Sequence, residues 1–336
     1  MRRTGMSPVV EAWSAYRSSN AQDWPLDRLL QAKRGTTVSV VIPARDEEAT
    51  VGPIVTAIRD TLAGPAGLVD EVIVVDSRSA DRTAAVARAA GARVVSQEEQ
   101  TRGLLPMQGK GDALWAGLAA ASGQVVAFVD ADVQPFHPHF VTGLLGPLLT
   151  DPTLSFVKGF YHRPLRSGGS SEPDGGGRVT ELVARPLLNL FWPDLAGFVQ
   201  PLAGESAGRR DVLTRLPFVS GYGVEIAMLT DLLGLVGLDA LAQVDLGERV
   251  HRNQSTEALG RMAAQIQLTA WSRLVRQGRA DGGDPLPTAM TQFRRGGDHP
   301  LPSLGREIVV SDVGIDERPP LADVDLLRLA SPTAPA

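Results

Sequence analysis

The chain has 336 residues, 43% apolar and 21% charged, which excludes overall disorder and suffices for one large packed domain or two smaller ones. Thirty-three basic against 38 acidic residues give a net charge of −5, so no global basic field attracts nucleic acid or an anionic membrane. The absence of cysteine removes disulfides, thiolate metal sites and a cysteine nucleophile, leaving oxygen and imidazole as metal ligands.

Residues 1–35 read as an N-terminal extension with helices around Val10–Tyr16 and Leu26–Lys33, and nothing in them declares a role. Basic residues near the start are not followed by the apolar run of a signal peptide, and no membrane span is legible, so a cytoplasmic protein is expected. An alternation then begins: strand VSVVIP (Val38–Pro43), helix from Glu48 to Leu62, strand EVIVVD (Glu71–Asp76), helix Asp81–Ala90, strand ARVVS (Ala92–Ser96), helix Gly111–Ala121 and strand QVVAFVD (Gln124–Asp130). Runs that are apolar throughout suit strands buried on both faces, and the βαβ rhythm predicts an α/β fold with a doubly wound, mainly parallel sheet. This half, 36–160, closes with a helix around Pro138–Leu149 and a strand near Leu154–Tyr161.

The second half, 161–280, opens on RSGGSSEPDGGG (Arg166–Gly177), too poor in apolar residues to pack and read as a mobile loop or a lid. A helical stretch Val179–Phe191, a glycine-punctuated region to Gly223, a helix Val224–Val236, a strand near Ala242–Val250 and an amphipathic helix Thr256–Gln277 follow. Residues 281–336 read as C-terminal loop and tail.

Ligands in open α/β sheets bind outside the carboxyl ends of the strands, and the polar landmarks fall there. PARDEEAT (Pro43–Thr50) follows the first strand, its acids fitting either a helix start or a ligand turn; Asp76, ending the next, is either a turn cap or an acceptor for a base or ribose. Asp130 and Asp132, spaced i, i+2 at a strand end, can face one crevice and hold Mg²⁺ or Mn²⁺ against phosphates. Against thirty arginines stand three lysines, Lys33, Lys110 and Lys158, and Lys110 lies between two glycines at a helix start where a phosphate or base can sit. Gly175–Pro186 is a glycine run opening a helix, with Arg178 offering a fork to an anion. His251 follows a strand but lacks a visible partner; Tyr222 and Glu225 open another helix, where Glu225 suits either sugar hydroxyls or its own helix dipole.

Together VSVVIPARDEEAT, VIVVDSRSADRT and FVDAD resemble the GT-A glycosyltransferases, and QGKGDALW, GGGRVTELVARPLL, LPFVSGYGVEI and QVDLGERVHRN resemble the retaining glucosyl-3-phosphoglycerate synthases and their relatives, the mannosyl-3-phosphoglycerate synthases. The resemblance covers about Val38 to Leu274. It implies that Pro43, Ala44, Arg45, Glu47, Asp76, Gly109, Lys110, Asp130 and Ala131 hold the nucleotide, that Leu202, Tyr222 and Glu225 hold the sugar, and that Asp132 and His251 bind Mg²⁺ or Mn²⁺. Gly177, Arg178, Val179 and Thr180 would receive 3-phosphoglycerate, with Arg249 and Asn253 on the acceptor and phosphate side. Glu225, Lys110 and Asp132 would carry the catalysis. Two residues depart from the family pattern: Asp46 stands where P-x-x-N-E-E turns have asparagine, and Arg78 where D-S-G-S has glycine. The activity implied is transfer of glucose from an NDP-glucose, UDP-glucose first, to the 2-hydroxyl of 3-phospho-D-glycerate by a homodimer, with GDP-mannose as the rival donor. A sugar-phosphate nucleotidyltransferase or a nicotinamide dehydrogenase would carry a glycine-rich loop where this chain has PARDEEAT, and a non-catalytic relic would have lost the D-x-D or His251.

Overall fold

The structure is a computed structural model that describes residues 6–107, 109–162, 165–167, 170–172, 177–249, 254–295 and 306–324. The first elements are α1 (Pro8–Arg17), β1 (Ser18–Asn20), α2 (Leu26–Lys33), β2 (Val38–Ala44), α3 (Val51–Thr61), β3 (Glu71–Asp76), α4 (Thr83–Ala89), β4 (Arg93–Ser96) and α5 (Gln97–Gln100). The nucleotide-binding half expected from the sequence continues with α6 (Lys110–Ala120), β5 (Val125–Phe128), α7 (His139–Thr150) and β6 (Phe156–His162).

Strands β2 and β3 pair in parallel, with Val40 opposite Val72 and Ala44 opposite Asp76, while β5 flanks β2 on its other side. Their unbroken apolar runs divide by alternation: Val40, Ile42 and Val74 pack under α3 and α7, whereas Val41, Ile73 and Val75 face the layer containing α6. Two cores therefore sandwich one sheet. Because β3 and β4 lie to one side of β2 and β5 to the other, the chain reverses its winding at β2, opening a crevice at the carboxyl ends of β2, β3 and β5.

Four further strands belong to that sheet, whose order is β1-β11-β6-β9-β5-β2-β3-β4. Strand β11 (Leu241–Glu248) runs parallel to β6, and β1 runs parallel to β11. Between β5 and β6 lies β9 (Ser206–Arg209), antiparallel to both and inside the region read from sequence only as glycine-punctuated. Four residues with little apolar side-chain volume give no strand signal of their own. The N-terminal segment is likewise structural: β1 forms the sheet edge, and Trp13, 4% exposed, donates its indole N–H to the Leu241 carbonyl.

Helix α8 (Arg185–Phe191), α9 (Arg210–Leu213), α10 (Val224–Val236) and α11 (Thr256–Arg276) cover the α6 face with the second core. Within the stretch expected as a loop, β7 (Leu165–Ser167) and β8 (Ser170–Glu172) pair as a hairpin. The reading of the C-terminal region as loop is corrected as well. Strands β12 (Ala289–Arg295) and β13 (Arg306–Asp312) form an antiparallel hairpin, and β14 (Glu317–Arg318) pairs with β10 (Phe218–Val219). The residues here are charged and mixed because they are held by ion pairs and a partner strand instead of a continuous apolar run. Among the described residues, no helix is long and apolar enough to cross a membrane.

Candidate active site

A cleft of about 630 Å³ opens at the crevice at the carboxyl ends of β2, β3 and β5. Pro43, Ala44, Arg45 and Glu47 enter it from the end of β2, Gly109 and Lys110 from the start of α6, and Asp130, Ala131 and Asp132 from beyond β5. Leu202, Tyr222, Glu225 and Arg249 line its other side. Asp76 does not line it; its carboxylate accepts the Ser79 backbone N–H at 3.3 Å and closes the turn after β3.

Residues Asp46 and Arg78, the two departures from the family pattern, both have positive φ, 56° and 60°. Asparagine and glycine take that conformation at lower cost, which explains why they are the usual occupants. Here side-chain contacts hold it: Asp46 accepts the Ala80 N–H at 2.7 Å, and Arg78 pairs with Glu98 at 2.6 Å.

At the cleft floor, charges interlock. Lys110 Nζ lies 2.6 Å from Asp130 and 3.1 Å from Glu225. Arg249, 2% exposed, contacts Asp132 at 2.6 Å, Asp130 at 3.3 Å, the Tyr161 hydroxyl at 2.9 Å and the wholly buried Glu205. Burial opposes the charge on Lys110, but Asp130 and Glu225 more than offset it and hold its pKa above the usual lysine range. For Asp130, burial pulls upward, and the neighbouring Lys110 and Arg249 win, holding the carboxyl below its usual range. Both therefore stay charged throughout the neutral range.

Asp132 is the residue best placed for a cation. Its side chain is 47% exposed, Arg249 engages Oδ1, and among the described residues nothing hydrogen-bonds to Oδ2. A hard carboxylate oxygen presented at the cleft suits Mg²⁺ or Mn²⁺. No cluster of three metal-ligating side chains occurs among the described residues; His251, the expected second ligand, lies outside them, as does Asn253.

The expected acceptor segment adjoins the cleft without lining it. Gly177 has φ 78°, and Arg178 opens a helical stretch whose Thr180–Ala184 turn is π-helical before α8 continues it. Val179 and Thr180 are buried, and the Arg178 guanidinium donates to the carbonyl of Gln254, itself a cleft-lining residue, at 3.1 Å.

Residues 39–174 match the family described as Glycosyl transferase family 2. The chain is 48% identical over 309 residues to glucosyl-3-phosphoglycerate synthase of Mycolicibacterium smegmatis, a match spanning 92% of this chain and 97% of that protein. The chain belongs to the glucosyl-3-phosphoglycerate synthase family. Its fold is shared with the crystal structure of Mycobacterium tuberculosis glucosyl-3-phosphoglycerate synthase in complex with Mn²⁺, UDP-glucose and phosphoglyceric acid, at TM-score 0.75 and 44% identity over 90% of this chain and 95% of that one. It is also shared with mannosyl-3-phosphoglycerate synthase from Rubrobacter xylanophilus, at TM-score 0.84 and 39% identity over 95% and 99%.

Against this synthase-family background, several site residues carry no sequence motif. Glu205 anchors Arg249 from inside the core, and Gln97 lines the cleft from the first position of α5. Lys158 is 2% exposed on β6, and among the described residues makes no hydrogen bond or ion pair. Burial pushes its pKa down to about 8, an effect Lys110 reinforces and Glu225, Glu205 and Asp130 partly oppose. A lysine inside the apolar strand FVKGFY was the available signal for it; Glu205 and Gln97 had none.

Proposed function

We propose that the chain is a cytoplasmic, homodimeric enzyme that transfers glucose from UDP-glucose to the 2-hydroxyl of 3-phospho-D-glycerate, with retention at the anomeric carbon. The observation that carries the reading is the match to the M. smegmatis synthase across 97% of that protein. The cleft agrees with it: the paired lysine and carboxylates lie at the switch point, where a nucleotide-sugar fits.

In this reading Pro43, Ala44, Arg45, Glu47, Gly109, Ala131 and Leu202 wall the donor, while Tyr222 and Glu225 orient the sugar. Asp132, with His251, would hold a Mg²⁺ or Mn²⁺ ion, which supplies neutralisation of charge on the diphosphate as it departs. Lys110 adds a fixed cation beside that charge, held in place by Asp130 and Glu225. Glu225 is 11% exposed and ion-paired with Lys110, an arrangement that favours a positioning role over that of a proton-accepting base. The C1–diphosphate bond then breaks as the acceptor oxygen bonds C1 on the same face, and the departing diphosphate oxygen takes the acceptor's proton. Gly177–Thr180, Arg249 and Asn253 would hold the acceptor.

A donor screen tests this. Purified protein, 3-phosphoglycerate and Mg²⁺ or Mn²⁺ should release nucleoside diphosphate fastest from UDP-glucose, and proton NMR should find an α-glucoside as the first product. Faster release from GDP-mannose would favour the second reading, mannosyl transfer, which the higher TM-score to the Rubrobacter enzyme supports. A β-coupling constant would refute retention, and full activity in excess EDTA would refute the metal assignment. The homodimer is supported by Phe293, Ile308 and Val310, exposed on one face of the β12–β13 hairpin; a single-chain mass by light scattering would overturn it.

A further inference from the structure

The C-terminal strand β14 lies outside the nucleotide-binding half, yet it is fastened to the start of α6, the helix that carries Lys110. Arg318 is 2% exposed, and its Nε donates to Asp112, 1% exposed, in the first turn of that helix. The other oxygen of Asp112 accepts from the side-chain amide of Gln97, which lines the cleft. Arg318 also lies over the Trp115 ring of the same helix, whose indole N–H donates to the Pro319 carbonyl at 2.9 Å.

Beyond these contacts and the Lys110 ion pairs with Asp130 and Glu225, the helix start is fixed by backbone packing alone. Gly109 is its N-cap with φ 101°, and no side chain caps the exposed N–H groups. Glycines let the turn press against bare backbone: a Cβ at Gly109 would meet the Gly221 nitrogen at 2.6 Å, and one at Gly111 the Val219 oxygen at 1.8 Å. Val219 belongs to β10, which β14 pairs with directly, and Ser220 exchanges hydrogen bonds with Asp316 in both directions. The same strap thus touches the turn leading to Tyr222 and Glu225.

We infer that Arg318 is a positioning residue: through Asp112 it sets where the first turn of α6 lies, and so where the Lys110 ammonium and the Gln97 amide stand in the cleft. A guanidinium whose Nε is held by one buried carboxylate, which lies over an indole and sits on a paired strand, has little freedom, so the helix start inherits that rigidity. Asp112 also carries a negative charge into the first turn, where it would compete with an anionic ligand for the helix's positive end; the Arg318 cation cancels it.

The inference rests on the reading of Lys110 as a cleft cation of a transferase, and wild-type protein is assayed alongside to separate the two. Absence of UDP-glucose-dependent transfer by the wild type would defeat that reading; where the wild type transfers, the variants address Arg318 alone. Removing Arg318 by itself leaves Asp112 buried and uncompensated, so the informative variant is the pair Asp112→Asn with Arg318→Met, which removes both charges. Its melting temperature should stay near the wild-type value while kcat falls about tenfold or more and the KM for UDP-glucose rises more than that for 3-phosphoglycerate. Leu29→Ala, which opens a cavity in the core beside α2 and outside the cleft lining, serves as a control for lost stability alone. Wild-type kcat in the paired variant, or the same kcat loss in Leu29→Ala at matched stability, would overturn the positioning role. Should the pair fail to fold, Arg318→Lys decides it: the charge is kept and the planar guanidinium with its Nε donor lost, so kcat must still fall several-fold in a folded protein, and an unchanged kcat refutes the inference.

Discussion

Gly204 precedes β9 and faces the ion pair at the cleft floor. A Cβ added there would lie 2.2 Å from Asp130 Oδ2 and 2.4 Å from Lys110 Nζ, while the pair itself spans 2.6 Å. Its φ is not in the left-handed region, so Gly204→Ala strains contacts and not backbone. Non-bonded atoms settle at about 3.5–4.0 Å, so the methyl group must drive Lys110 and Asp130 aside by roughly 1 Å or more. Overpacking costs about 1–3 kcal/mol, and breaking a buried pair by itself about 3–5 kcal/mol. These describe one event and do not add; a loss of about 3–4 kcal/mol follows, or roughly 6–8 °C in Tm at the ~2 °C per kcal/mol expected of a chain this long. Misplacing the cation by that distance should lower kcat by about two orders of magnitude. Differential scanning calorimetry and initial rates of UDP release measure the two effects. Gly234→Ala, on the exposed side of α10 with nothing within 4 Å, is the control and should be neutral or stabilising by about 0.5–1 kcal/mol. A Gly204→Ala protein with wild-type Tm and turnover would refute the reasoning that this glycine exists to admit the Lys110–Asp130 contact.

Two further outcomes are expected. Arg178→Ala should raise the acceptor KM about 10- to 100-fold, equivalent to roughly 1.5–3 kcal/mol, and leave UDP affinity unchanged in a calorimetric titration; weakening of nucleotide binding alone would mean the anion site lies elsewhere. Lys158 releases its proton near pH 8 when folded but only near the ordinary lysine value of 10.5 when unfolded, so between these limits the unfolded chain binds more protons and stability rises with pH. Urea unfolding should show this term, up to about 1.4 kcal/mol per pH unit, in the wild type, and Lys158→Met should lack it. Parallel stability curves for the two proteins across pH 8–10 would contradict the burial of an unpaired ammonium.

Strands β2, β3, β4 and β5, with helices α3, α4 and α6 between them, were legible because each signal is local: an apolar run for a strand buried on two faces, a 3.6-residue period for a helix, and polar residues where one meets the next. The cleft residues from Pro43 to Glu47, Gly109–Lys110 and Asp130–Asp132 were legible for the same reason, since a switch point puts strand ends together by topology alone. Antiparallel β9 was not, because four small or polar residues form a strand only where β5 and β6 offer free edges on both sides. Nor were Glu205 beneath Arg249, Gly204 against Lys110, or Arg318 on Asp112, contacts that join residues 44, 94 and 206 positions apart. A sequence states which side chains carry charge. Which of those charges is buried against which other depends on the packing of distant segments, because a buried ion is tolerated only where its partner is brought to meet it.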